Sequence, residues 1–134
     1  MQEGHLVDSE GVFVTHILMV DDAEDILELG AIGLEIAGFS CATARTGEQA
    51  LLCLKQQAAD LILLDYQLGQ GESGLDVLRR IRNAAWQVPI VFLTAADDQA
   101  HREQFLQAGA VGVLAKPFDP MTLGQSLVPW LAKS

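Results

Sequence analysis

The sequence predicts an α/β fold, a (βα)5 doubly wound three-layer sandwich around a five-stranded parallel sheet. Three observations predict it. Short apolar runs alternate with longer amphipathic segments five times over. The runs at 61–64 and 90–93 are continuously apolar rather than alternating, which a parallel sheet covered on both faces requires. Finally, 134 residues of which 50% are apolar make one packed domain, and are far too apolar for a disordered chain.

Residues 1–14 hold one apolar patch, Gly11 to Val14, and sustain neither a helical nor a strand period, so they read as a short tail before a domain spanning 15–134. Ile17 to Val20 is the first strand, and Glu24 to Ala37 an amphipathic helix closed by Gly38. Phe39 to Ala44 and Gly47 to Gln57 repeat the pair. Asp60 to Asp65 is the third strand, followed by a helix from Gly74 to Asn83. Pro89 to Thr94 is the fourth, followed by a helix from Asp97 to Ala108 capped by Gly109. Gly112 to Ala115 is the fifth strand, and Asp119-Pro120 opens the last helix. Pro129 removes a backbone donor nine residues into that helix, so the helix should stop near Leu127 or kink.

The net charge of −10 argues against a nucleic-acid backbone as direct partner. Residues 1–44 hold nine acids and no base, leaving −1 for the other 90 residues. Four of those acids fall within Asp21-Asp22-Ala23-Glu24-Asp25, where repulsion needs relief from solvent, a helix N-terminus or a cation. No run reaches the length of a membrane span, and no basic segment precedes an apolar run near the start, so a cytoplasmic protein is expected. Cys41 and Cys53 lack metal-site or disulfide spacing and read as reduced, buried thiols. His5, His16 and His101 lie on different segments and carry no assigned role. Asp76 and Arg80 form an i,i+4 pair on a solvated helix face, and Trp86 and Trp130 read as packing residues.

In open α/β sheets, ligands bind beyond the carboxyl ends of the strands, where strand order reverses. Asp21-Asp22 follow the first strand, Asp65 ends the third, Thr94 the fourth, and Lys116-Pro117 follow the fifth. Each has an ordinary reading alone, as a helix cap, a turn residue, a capping hydroxyl or a surface lysine. Their agreement at four strand ends points to one site. Three clustered carboxylates call for a hard divalent cation, Mg²⁺ or Mn²⁺, which takes few carboxylates and favours phosphoryl oxygens. A carboxylate can then attack phosphorus, with a lysine and a hydroxyl on the equatorial oxygens.

These positions, on this pattern, resemble the receiver (CheY-like) domain of two-component response regulators over about residues 15–134. The resemblance implies a flavodoxin-like fold, with Asp65 as phosphoacceptor and Asp21, Asp22, Asp65 and the backbone carbonyl of Gln67 holding Mg²⁺. Thr94 and Lys116 would contact the phosphoryl group, and the bond to Pro117 would be cis. The implied donor is a histidine kinase or histidine phosphotransfer protein. The role is a signalling switch rather than a turnover enzyme. Because only two residues follow Ala132, output is expected through a protein partner rather than an appended DNA-binding domain.

Four departures bear on that role. The loop after Asp65 reads Gln67-Leu68-Gly69-Gln70-Gly71-Glu72-Ser73-Gly74, without the usual Pro and one residue longer before its Gly, so added mobility is expected. Val113 stands where an aromatic switch residue is common. Gln67 and Ala96 occupy positions that, by the same resemblance, tune water access to the phosphoryl group in the family. The last helix has no acid after Asp119, which favours a monomer or weak dimer. Three other readings stay open: a receiver excised from a hybrid kinase, a docking module that seldom uses phosphorylation, and an aspartate-nucleophile phosphohydrolase, disfavoured because Gln67 stands where its general acid would.

Overall fold

The computed structural model describes residues 6–7, 13–69, 71–95 and 101–131. The elements run β1 (Leu6–Val7), β2 (Phe13–Val14), β3 (His16–Val20), α1 (Glu24–Ile36), β4 (Ser40–Ala44), α2 (Gly47–Gln56), β5 (Leu61–Asp65) and α3 (Gly74–Asn83). Then come β6 (Ile90–Ala95), α4 (Arg102–Gln107), β7 (Gly112–Lys116) and α5 (Pro120–Leu131). Strands β3 to β7 form one all-parallel sheet in the order β4-β3-β5-β6-β7, the predicted doubly wound arrangement. The expected start of the fourth helix, near Asp97, lies outside the described residues.

The continuous apolar runs are explained by the layers. Alternate residues of β3 enter opposite cores: Leu18 and Val20 pack with Leu54 of α2, Leu78 of α3 and Phe105 of α4, whereas Ile17 and Met19 pack with Leu34 of α1 and Leu127 of α5. Both faces of the central strands β3, β5 and β6 are therefore dry. Small residues let α1 sit close. A Cβ at Gly30 would overlap Met19, and one at Gly33 would overlap the carbonyl of Pro120.

Three expectations gain detail or are corrected. The tail carries a two-stranded antiparallel ribbon, Leu6 opposite Val14 and Val7 opposite Phe13, whose two-residue strands are too short for a period to show. Of the two expectations for Pro129, a stop near Leu127 or a kink, the first is removed, since helix α5 runs through Pro129 to Leu131. Trp130 and Leu131 pack on the Ile17 layer, and Trp130 covers Gly112, so tertiary packing outweighs one lost bond near a helix end. Cys41 and Cys53 are free but only half-buried. Trp86 packs against the Leu18 layer, as expected.

Candidate functional site

The carboxyl edge of the sheet gathers the charges. Strand order reverses between β3 and β5, and Asp21 follows the first of these while Asp65 ends the second. Oxygens of Asp21, Asp22 and Asp65 lie within 4.8 Å of one another, with Asp21 and Asp65 buried and Asp22 exposed. Lys116, at the end of β7, places Nζ 2.8 Å from Asp21 Oδ2 and 3.2 Å from Asp65 Oδ1.

Helix α1 contributes the local reason for the acidic run. Its N-cap, Ala23, has no side-chain oxygen to offer, and Asp21 Oδ1 accepts the Ala23 N–H at 2.9 Å instead. Glu24 and Asp25 lie in the first turn, where the helix dipole favours negative charge. The helix N-terminus is thus one of the three expected forms of relief, and the solvent exposure of Asp22, Glu24 and Asp25 a second.

The electrostatics leave room for the third. Burial, then the neighbouring Asp21 charge, push the Asp65 carboxyl up to about 6, while Lys116 and the Gln67 N–H pull the other way. Burial alone would lower the Lys116 ammonium, but its bond to Asp21 and the charge of Asp65 raise it above its ordinary value. Three ionised carboxylates and one ammonium carry a formal excess of two negative charges, which one divalent cation cancels. The all-oxygen donor set suits Mg²⁺ or Mn²⁺.

Asp21, Asp22, Asp65 and Lys116 therefore converge as the sequence predicts. Thr94 sits on the neighbouring strand, 1% exposed, and its hydroxyl has no hydrogen-bond partner among the described residues. A buried orphan hydroxyl costs free energy unless something else occupies it. Gln67 is exposed, its N–H reaching Asp65 Oδ1 at 3.4 Å, and it bridges to Ser73. The Lys116–Pro117 bond is cis. Ala96 lies outside the described residues.

Val113 is half-buried opposite Phe92, so no aromatic ring swings at that point of β7. Rings gather just beyond the end of β5 instead. Tyr66, directly after Asp65, lies 4.8 Å centroid to centroid from Phe105 of α4 and edge-on to Phe92 at 6.4 Å. Sequence reading gave Tyr66 no role; its position one residue past Asp65 was the available signal. His16 is a satisfied core residue at the opposite end of β3, its Nδ1 3.0 Å from Ser40 Oγ.

Two more residues escaped the sequence reading. Arg45 donates to the backbone carbonyl of Asp22 at 3.1 Å, and Glu72 takes Arg80 at 2.8 Å. The expected Asp76–Arg80 pair is absent: Asp76 is held by Ser73 in a capping box and approaches Arg79 at 3.7 Å, leaving Arg80 for Glu72. Arg45 and Glu72, with Asp22, Gln49 and Gly69, line a polar cavity of about 540 Å³ beside the acidic cluster.

The sequence profile of the response regulator receiver domain matches residues 17–128. The chain is 38% identical over 109 residues to the phosphate regulon transcriptional regulatory protein PhoB of Pseudomonas aeruginosa, covering 80% of this chain and 47% of that one. It is 41% identical over 104 residues to the alginate biosynthesis transcriptional regulatory protein AlgB of the same organism, 78% of this chain and 23% of the relative. The chain thus spans half or less of the curated relatives it matches. Among solved structures, the receiver domain of NtrX from Brucella abortus superposes with a TM-score of 0.80 at 30% identity, covering 88% of this chain and 99% of that one. The chemotaxis response regulator CheY4 of Vibrio cholerae gives 0.78 at 28%, covering 87% and 98%.

Proposed function

The chain belongs to the response regulator receiver domain family, and from that premise we propose that residues 15–134 form a phosphoacceptor switch with Asp65 as its nucleophile. The observation that carries the reading is the buried Asp65 itself. It stands at the strand-order switch point, within 4.8 Å of Asp21 and Asp22 and ion-paired to Lys116.

A carboxylate oxygen of Asp65 attacks phosphorus of a phosphohistidine on a histidine kinase or histidine phosphotransfer protein. The O–P bond forms as the P–N bond breaks, and the imidazole leaves with the electron pair and takes up a proton. Asp21, Asp22, Asp65 and the Gln67 carbonyl would hold Mg²⁺ or Mn²⁺, which supplies positive charge against the equatorial oxygens when bound. Lys116 exchanges part of its contact with Asp65 for a phosphoryl oxygen, and the Thr94 hydroxyl gains the acceptor it lacks. These contacts bias a two-state equilibrium whose couplings are commonly ~1–3 kcal/mol, and a protein partner reads the outcome. On this reading the protein works in the cytoplasm as a monomer or weak dimer, without contacting nucleic acid through this domain.

Intact mass after incubation with acetyl phosphate tests it. One added phosphoryl group that requires Mg²⁺ and disappears in Asp65→Asn is the expected result. Labelling that persists in the variant means a different acceptor. A second reading, a docking module that keeps the site but rarely uses it, is favoured by Val113 at the usual aromatic position. No labelling of a chain that does bind Mg²⁺ would select it. Steady turnover of a phosphomonoester would instead select a hydrolase, against the exposed amide of Gln67.

A further inference from the structure

We infer that Glu72 is a positioning residue for the cation site, holding the loop after Asp65 so that Gly69 braces the Asp22 carboxylate. The inference rests on reading Asp21, Asp22 and Asp65 as that site.

Glu72 joins three elements. Its Oε1 accepts the N–H of Gly47, the first residue of α2, at 3.1 Å, and its Oε2 accepts from Arg80 of α3 at 2.8 Å. Its own N–H donates to the carbonyl of Gly69 at 3.1 Å. Gly69 has φ +72°, and a Cβ there would stand 2.9 Å from Asp22 Oδ2, so the loop passes close enough to that carboxylate that a side chain at this position would crowd it. The cross-link also explains Gly47, where a Cβ would meet Glu72 Oε2 at 2.7 Å and Arg80 Nη1 at 2.9 Å.

Asp22 needs such a brace more than its neighbours do. Asp21 is held by the Ala23 N–H and Lys116, and Asp65 by Lys116 and the Gln67 N–H. The Asp22 carboxylate is exposed and accepts no hydrogen bond among the described residues; only its backbone carbonyl is tied, to Arg45. Groups behind a metal ligand set its orientation, and losing one weakens cation affinity while leaving the reacting atoms in place. This chain lacks the proline expected in that loop, and the Glu72 bridge to α2 supplies the restraint instead.

The test is Mg²⁺ binding by calorimetry on the full chain, for the parent, Glu72→Ala, Glu72→Gln and Gly69→Ala. Glu72→Ala should weaken binding by roughly three- to tenfold, below the 10–100-fold of groups bonded directly to a ligand. Glu72→Gln keeps an oxygen for the Gly47 N–H and should recover most of that loss. In acetyl phosphate labelling, Glu72→Ala should raise the Mg²⁺ concentration at half-maximal rate and leave the rate at saturating Mg²⁺ unchanged, a split that simple loss of fold would not produce. Gly69→Ala attacks the same brace from its other end and should also weaken Mg²⁺. A Glu72→Ala protein that binds Mg²⁺ within twofold of the parent overturns the inference, as does a Gln variant no better than Ala. A parent that binds no Mg²⁺ overturns the cation site itself, and the inference with it.

Discussion

Replacing Asp65 with Asn should stabilise the cation-free protein above pH 6, even though it removes an ion pair to Lys116. Burial and the charge of Asp21 raise the folded carboxyl from 3.8 to about 6. The folded chain therefore holds this proton more tightly than the unfolded one. Between those two values folding takes up a proton, so the contribution is fully present below pH 3.8 and is lost as pH rises through about 6. At about 1.4 kcal/mol per unit, ionised Asp65 costs the fold at most ~3 kcal/mol at neutral pH. Asn imitates the neutral acid and escapes that cost. Burial lowers His16 below its ordinary value, which moves stability the opposite way over nearby pH, but subtracting parent from variant cancels it. Urea unfolding in EDTA at pH 4.5 and 7.5 provides the assay. Because pH 4.5 is already above 3.8, the variant should exceed the parent by about 1 kcal/mol there and by up to ~3 kcal/mol at the higher pH. Saturating Mg²⁺ should stabilise the parent alone, by about 2.7 kcal/mol at a hundredfold excess over Kd, and close or reverse the gap. A variant no more stable than the parent at pH 7.5 without cation would refute the reasoning, because Lys116 would then outweigh burial and Asp21 together.

Thr94→Val should leave the cation-free, unphosphorylated protein unchanged or up to about 1 kcal/mol more stable in urea unfolding, since the buried hydroxyl has no partner to lose. The same variant should lose the conformational response to acetyl phosphate, read by partner binding or chemical shifts. Gly112→Ala should cost about 1–3 kcal/mol and change the tryptophan emission, because the new Cβ overlaps the Trp130 indole.

Much of this protein was legible in order along the chain. The period of the apolar residues called every strand of the parallel sheet, and helix ends fell where Gly38, Gly109 and Asp119-Pro120 place them. The site's four charges were legible too, because ligand sites in this class of sheet lie at the ends of strands, and strand ends can be read locally. The misreadings share one cause. The ribbon of residues 6–7 and 13–14 was too short to carry a period, and helix rules left open whether α5 would end before Pro129 or continue past it, a choice that Trp130 packed over Gly112 decides. Arg80 was paired by helical spacing with Asp76, which Ser73 had already claimed.

The sequence by itself determined the architecture, the two dry faces and which residue types would meet at the carboxyl edge, since periodicity, capping and strand-end position all act over a few residues. Tertiary structure alone decided how those residues stand in energy: that Lys116 bridges Asp21 and Asp65, that Thr94 is sealed without a partner among the described residues, and that Glu72 reaches α2 while Gly69 lies beside Asp22. Each depends on groups up to 95 positions apart, and no local pattern encodes the separation or burial on which a charge's energy depends.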